Sequence, residues 1–463
     1  MKKNLRSLSF WSCWIMAIAF TWTMFNLGNY KGWHSPISYD ITNYYCYLPA
    51  IFVEKDLSLK FFDVHPEWYV HKFAPNKDPN GHNVIKMTMG LAFYYAPFFF
   101  LAHLYSLFFD NPDGFSSPYR LLLLLGTIFY TTLGMFYLRK ILLQYFTDLA
   151  TVLVLLSLGI GTNLFYYTVH EPMSHAYLFF TFIIIMYFTI IWHRQPSVVT
   201  AAKLGFFSGM AILIRPTDGI ILLVPLLYSV TSLSTLKNKF SLLINHWLHI
   251  AILTVFLFIP LFFQMLYWKN MTGQWIFFSY VGEGFLWNDP KILDGLFSYR
   301  KGWILYTPII IFSFAGFLFL RKYSREFLVP VILFSIINIY VVLSWWSWWY
   351  GGGFGLRAFI ESYALLALPM GAFYQHVLKV KWRIYLLCGL ITLLCTVNQI
   401  QTFQYRHRFI HWDSESKDAY WFAFLRINLN QDEKKALEKL FVPPPWERFE
   451  KLRAKQQSPA SVK

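Results

Sequence analysis

The sequence predicts an all-α polytopic integral membrane protein with about eleven transmembrane helices, and three observations predict it. The 463 residues are 56% hydrophobic and 21% aromatic but only 14% charged, far from the balance of a soluble domain. Apolar runs of about 20 residues recur along the chain, long enough to span a bilayer as helices and too long for barrel strands. The basic residues behind the formal charge of +16 sit between these runs and in the C-terminal segment. That distribution orients a membrane protein and argues against a nucleic-acid partner.

The first run, residues 8–28, follows Lys2, Lys3 and Arg6 and has no small-residue cleavage site after it, so it reads as a retained span with a cytoplasmic N-terminus. Residues 29–118 then form a long outer loop. Its own apolar run, 90–109, poses a parity question. If that run does not cross, the clusters at Arg139-Lys140, Arg194/Lys203, Lys237/Lys239, Arg321-Lys322/Arg325 and Lys379/Lys381/Arg383 all fall on the N-terminal side with Lys2, Lys3 and Arg6, about 15 basic residues in all. If it crosses, every later cluster moves outside. Pro97, His103 and aromatic flanks suit a juxtamembrane helix lying at the interface.

Further spans are expected at 119–138, 148–167 and 175–192. The next run is broken by Arg215-Pro216-Thr217-Asp218, which gives two half-length helices, 204–214 and 217–232, joined by a tip on the outer face. Spans at 246–268, 302–320, 326–345, 358–378 and 384–402 complete the transmembrane domain, residues 1–402. Residues 403–463 form a polar tail on the outer face, whose basic residues can touch anionic headgroups. Of the 24 acids, only Asp148 and Glu326 fall on the cytoplasmic side of this scheme. The four cysteines show neither a disulfide framework nor zinc spacing, so no metal and no cofactor are expected, and no internal repeat is visible.

The scheme gathers polar clusters on the outer face. They are the loop Ser38-Tyr39-Asp40 with Tyr44 and Tyr45, the segment Lys86-Met87-Thr88-Met89-Gly90, the turn His170-Glu171 with His175, the tip at Arg215, the pair Arg300-Lys301, and Gly351-Gly352-Gly353-Phe354-Gly355-Leu356-Arg357. Ionisable groups at span ends are costly unless paired or wet, so a coaligned set reads as a functional site. Each cluster also has a plainer reading. Asp40 can be a helix N-cap. Arg300 and Lys301 can be snorkelling anchors, although the positive-inside bias disfavours them on this face. The glycines before Arg357 can cradle an anion or allow tight packing, and Trp345, Trp346, Trp348 and Trp349 read as an interfacial belt. His170, Glu171 and His175 lack the i, i+4 histidine spacing of a helical zinc site. They can form a hydrogen-bonded rim or a structural pair of Glu171 with Arg215.

In its order of features the chain resembles the GT-C superfamily of membrane glycosyltransferases, in the branch of protein O-mannosyltransferases and lipid A aminoarabinose transferases. The resemblance rests on Asp40 early in the first outer loop with aromatics and a surface helix after it, on Lys86 to Gly90 leading into Pro97, and on Arg215-Pro216-Thr217 between short spans. It covers most of residues 8–378. The acidic pair usual in that family is reduced here to Asp40 followed by Ile41. The resemblance implies transfer of a sugar from a polyprenyl-phosphate donor, at the inner (cytoplasmic) membrane of the cell envelope, to an acceptor on the non-cytoplasmic face. Asp40 would serve as the base, with Glu171 as the second acid. Tyr44, Tyr45, Lys86, His170, His175, Arg215, Arg300, Lys301 and Arg357 would line the substrates. The rival functions are a transporter or flippase of an anionic lipid-linked substrate and an envelope polysaccharide ligase or polymerase. Membrane lipids are expected partners of any of the three.

Overall fold

The computed structural model describes residues 7–31, 36–61, 75–78, 81–280 and 282–457. Among them the chain is almost entirely helical, with one two-stranded antiparallel pair, Asn76–Lys77 with Asn83–Val84. Seven helices are long and apolar enough to cross a membrane: Leu8–Leu27, Gly90–Phe109, Ser117–Leu142, Ser174–Arg194, Trp247–Thr272, Arg325–Ser344 and Lys381–Arg406. Shorter apolar helices at Asp148–Ile160, Val198–Ile214 and Pro216–Leu227 add to these. The protein is therefore an all-α protein with the helices of a membrane domain. It folds as two compact units. One comprises Cys13–Leu138 and Tyr167–Ser279, here the loop unit, and the other Met1–Ser12, Arg139–Tyr166 and Tyr280–Lys463, here the tail unit.

In the loop unit, Ser174–Arg194 is the central helix, buried along most of its length. Its neighbours follow from small residues and paired hydroxyls. A Cβ at Gly134 would touch Phe180, and Thr127 shares a 3.0 Å hydrogen bond with Tyr177. The helices Val198–Ile214 and Trp247–Thr272 meet through Gly205 and Gly209, where a side chain would strike the carbonyls of Leu253 and Leu257. Small residues four apart let helix backbones approach this closely. The outer flank of Trp247–Thr272 leaves Val255, Phe258, Phe262 and Phe263 exposed, an apolar face suited to lipid.

The interrupted run breaks at Arg215-Pro216 as its sequence suggests, but the first helix is longer than the expected 204–214 and the second half is not one helix over 217–232. Val198–Ile214 starts after Ser197, whose side chain accepts from Thr200 N, and ends at Arg215 beside His175, with 3.3 Å between Arg215 Nη1 and His175 Nδ1. Proline cannot continue the hydrogen-bond ladder, so the chain turns into the 3-10 helix Pro216–Leu222 and the short helix Leu223–Leu227. It then reaches Tyr228, whose ring lies 4.8 Å from that of His193. Since His175 and His193 mark opposite ends of the central helix, residues 198–228 run its length and return.

The run 90–109 is one unbroken helix despite Pro97, and by length and composition it could cross. It runs antiparallel to Ser117–Leu142, with Phe98 against Phe129 and Tyr130, and His103 against Tyr119. Ser117 Oγ donates to the carbonyl of Tyr30 at 3.2 Å, just past the end of Leu8–Leu27, while Trp14 near the start of that helix packs on Phe136 near the end of Ser117–Leu142. The two helices are thus antiparallel, with Tyr30 and Ser117 at one end.

In the tail unit, the predicted span 148–167 is broken. Asp148–Ile160 stops at Gly161, where a Cβ would meet Ser157 O, Ile309 and Cys395 within 3 Å. Thr162 Oγ1 then accepts from Leu164 N at 3.2 Å and starts a new turn. The predicted span 302–320 is likewise split, by Pro308, into Trp303–Tyr306, the 3-10 turn Pro308–Ile310 and Ile311–Tyr323. Arg139, buried, donates to Ser9 Oγ at 2.8 Å and Ser7 Oγ at 2.7 Å, and Ser9 Oγ donates to Asp148.

The C-terminal segment is folded. Helices Lys417–Ala423 and Gln431–Glu438 enclose an apolar cluster of Phe409, Ala419, Ala423, Leu429 and Leu437. The tryptophans depart from the belt reading. Trp346, Trp348 and Trp349 are buried, and Trp346 and Trp349 pack on Trp446 at 6.0 and 5.9 Å. An aromatic cluster at a helix end is covered here by the tail, not by headgroups.

Candidate functional site

Asp40 opens the short helix Asp40–Tyr45, with Tyr39 at the cap position in a left-handed conformation (φ 51°) and no side-chain cap bond. The carboxylate therefore stands at the first helical position, half-exposed, and not at the cap. A negative charge in the first helical turn is favoured there by the helix dipole. Ile41, Thr42, Tyr44 and Tyr45 turn inward and are buried, which anchors the helix and leaves Asp40 on its outer side.

The anchoring runs through aromatic hydroxyls. Tyr45 donates to the carbonyl of Gly114, and its ring packs edge-on against Tyr95 and Phe99 at 6.1 and 5.9 Å. Tyr95 in turn donates to the carbonyl of Pro172, next to Glu171. That turn holds His170 Nδ1 3.9 Å from Glu171 Oε1, with both side chains partly exposed. His175, 3% exposed, leads from it to Arg215.

The segment 85–90 seats on the same tip. Tyr47 donates to the carbonyl of Met87 at 2.7 Å, Met89 N donates to Gln264 Oε1 at 2.7 Å, and Thr88 Oγ1 donates to the carbonyl of Leu213. Gly90 is required by contact, since a Cβ would lie 2.7 Å from Ile214 N. Lys86 stays partly exposed and its carbonyl accepts from Ser279 Oγ at 2.6 Å. The loop unit thus joins the segments that bear Asp40, Tyr44 and Tyr45, Lys86, His170 and Glu171, and His175 and Arg215, through contacts made by their neighbours Tyr47, Thr88 and Tyr95.

Arg300, Lys301 and Arg357 belong to the tail unit and have a different setting. Arg300 donates to the carbonyls of Asp413, Val442 (3.1 Å) and Pro443 (3.0 Å). Lys301, 2% exposed, donates to the carbonyls of Gly353 and, at 2.6 Å, Trp412. Burial, and next the charge of Arg357, pull Lys301 down to about 7. Arg357 opens a 3-10 turn directly after the glycine-rich segment. Burial pushes Glu415 up to about 8, with Lys301 and Arg300 opposing it. Its Oε2 accepts from His411 N at 2.6 Å, and among the described residues Oε1 has no hydrogen-bond partner.

Sequence reasoning missed Gln264, Tyr95 and Glu415. Gln264 carried a faint signal as an uncharged polar residue inside an apolar run, whereas Tyr95 was one aromatic among many. Compared with known proteins, the chain matches no family model and no curated sequence.

Proposed function

We propose that this protein is a multi-pass membrane glycosyltransferase of GT-C type, with about eleven crossings and a cytoplasmic N-terminus. It moves a sugar from a polyprenyl-phosphate donor to an acceptor on the non-cytoplasmic face. The observation that carries the reading is Asp40, a half-exposed carboxylate on a surface helix docked through Tyr45 and Tyr95 onto the turn bearing Glu171. A transporter does not need a carboxylate docked in this way.

In the reaction the acceptor oxygen attacks the anomeric carbon while Asp40 takes its proton. The bond from that carbon to the phosphate oxygen breaks, and the polyprenyl phosphate leaves with the electron pair. Cations must hold that phosphate as charge develops. Lys86 and Arg215, on adjoining segments of the loop unit, are assigned this task. Arg300 and Lys301 already donate to backbone carbonyls, and their part is to hold the tail.

The test incubates purified protein with a polyprenyl-phosphate sugar and follows hydrolysis or transfer. Asp40→Asn is expected to abolish turnover while donor affinity stays within a few fold, because the loss falls on the transition state. Full turnover in that variant would remove Asp40 as the base. Donor binding by the wild type without any turnover would replace the enzyme by a transporter.

A further inference from the structure

At the end of the loop unit away from Asp40, an apolar cleft of about 240 Å³ opens between the helices Val198–Ile214 and Trp247–Thr272 and the segment 222–226. Leu204, Leu222, Leu226, Leu253 and Leu257 line it, and His193 stands at its mouth. From Ile250 to Leu257, both on its wall, it follows the helix for roughly 10 Å. Its lip is open, with Leu226 51% exposed. Deep in the cleft Ser208 is fully buried, and its Oγ has no hydrogen-bond partner among the described residues.

The mouth is positively charged. Lys239, 6% exposed, donates to His193 Nε2 and, at 3.2 Å, to the carbonyl of Tyr228. His193 Nδ1 lies 2.7 Å from the carbonyl of Thr189, which takes the ring's one N–H and leaves Nε2 to accept from lysine. An ammonium has three donors, and two are accounted for. No carboxylate lines the cleft, and residues 219–282 contain no Asp or Glu at all. His246 and His249 pack on the lining residue Trp192 at 5.9 and 6.2 Å, Arg194 follows His193, and Lys237 lies on the helix of Lys239.

The helix carrying Lys239, Leu233–Asn245, is amphipathic and begins with a capping box at Ser232 and Thr235. Leu233, Phe240 and Ile244 share one face at i, i+7 and i+11, and all are at least 60% exposed, as is Trp247 just after it. A short helix with an exposed apolar face and basic residues lies in the plane of lipid headgroups. It brings Lys239 to headgroup depth, with the cleft continuing toward the acyl region.

We infer that this cleft is a binding site for an anionic phospholipid of the adjacent leaflet, with one acyl chain between Leu204 and Leu257 and the phosphate at Lys239, which His193 holds in place. The occupant is a lipid because the wall is apolar, and an anionic one because the mouth holds a buried cation with no acid nearby. The inference stands apart from the glycosyltransferase reading and needs no turnover to be tested.

The experiment is native mass spectrometry of the full chain in detergent with phosphatidylglycerol or phosphatidylcholine of identical acyl chains. Phosphatidylglycerol is expected to bind on the order of five- to tenfold more tightly, the contribution of one or two cations near a headgroup. Lys239→Ala should erase the preference, Lys239→Arg should keep it, and Ser208→Phe should reduce binding of both lipids by filling the cleft. Lys269→Ala, an exposed cation near the other end of Trp247–Thr272, should change nothing. Equal binding of the two lipids, a preference that survives Lys239→Ala, or glycerol phosphate binding as well as the lipid would each overturn the inference.

Discussion

Ser117 Oγ donates to the carbonyl of Tyr30 at 3.2 Å, tying the entrance of one long helix to the exit of the first. Residues 30 and 117 therefore lie at one end of an antiparallel pair of helices. The C-terminal half of Gly90–Phe109 leaves Leu104, Leu107, Phe108 and Phe109 exposed, an apolar face suited to lipid. Cysteines at the exposed positions Lys77, Asn288 and Lys322 decide the orientation. An impermeant maleimide on intact cells should label the first two and not the third. Labelling at Lys77 and Lys322 with protection at Asn288 would mean that the helix crosses and the later spans invert.

The tail depends on Lys301. Its ammonium joins the carbonyls of Gly353 and Trp412, so Lys301→Met removes the donor that ties them together and leaves Trp412 O only the 3.3 Å bond from Gly353 N. Hydrogen bonds to a charged group contribute about 1.5–3 kcal/mol. Hydrogen exchange across Lys417–Ala423 and Gln431–Glu438 should accelerate roughly ten- to a hundredfold. Arg300→Ala should act in the same direction. Unchanged exchange in both variants would return these residues to the phosphate role.

What was legible in advance divides along a physical line. The hairpin at Arg215 could be read because proline and a charge interrupt an apolar run, a local signal that the structure answers with a 3-10 turn. The Lys86 to Gly90 segment could be singled out, but not its seat on Leu213 and Ile214, because a Gly that touches a distant backbone looks like any other Gly. Arg300 and Lys301 read as anion binders because carbonyl acceptors leave no mark on side-chain composition. Trp346 and Trp349 read as a belt because an aromatic at a helix end is the same residue whether it meets lipid or Trp446, about a hundred positions later.

Glu415 makes the tail sensitive to pH. Burial lifts its carboxyl from an ordinary 4.5 to about 8, so between those values the released tail ionises and the docked one does not. Stability then falls as pH rises through that window and is fully present only below it. Burial holds His411 below its ordinary 6.5, which acts in the opposite sense, so the measurement is a difference. Exchange protection of the tail, corrected for intrinsic rates, should fall more steeply from pH 5 to 7 in the wild type than in Glu415→Gln. Parallel profiles would mean that Glu415 ionises alike in both states.

Gly90→Ala tests whether the loop unit works as one site. The added Cβ would lie 2.7 Å from Ile214 N and 2.9 Å from the Leu213 carbonyl carbon, and backbone atoms yield only if the segment moves. Overpacking of this kind costs about 1–3 kcal/mol, within what a fold with several long packed helices can bear. The displaced atoms lead directly to Arg215, whose guanidinium sits 3.3 Å from His175. A shift of about 1 Å in a positioning group can lower turnover on the order of a hundredfold. The variant should therefore remain folded, bind donor more weakly and turn over far more slowly. Gly389→Ala, in a helix with nothing within 4 Å of the new methyl, should leave both unchanged. If Gly90→Ala kept full turnover while thermal stability dropped, the contact at Ile214 would be packing alone, and Arg215 would have no part in holding the phosphate.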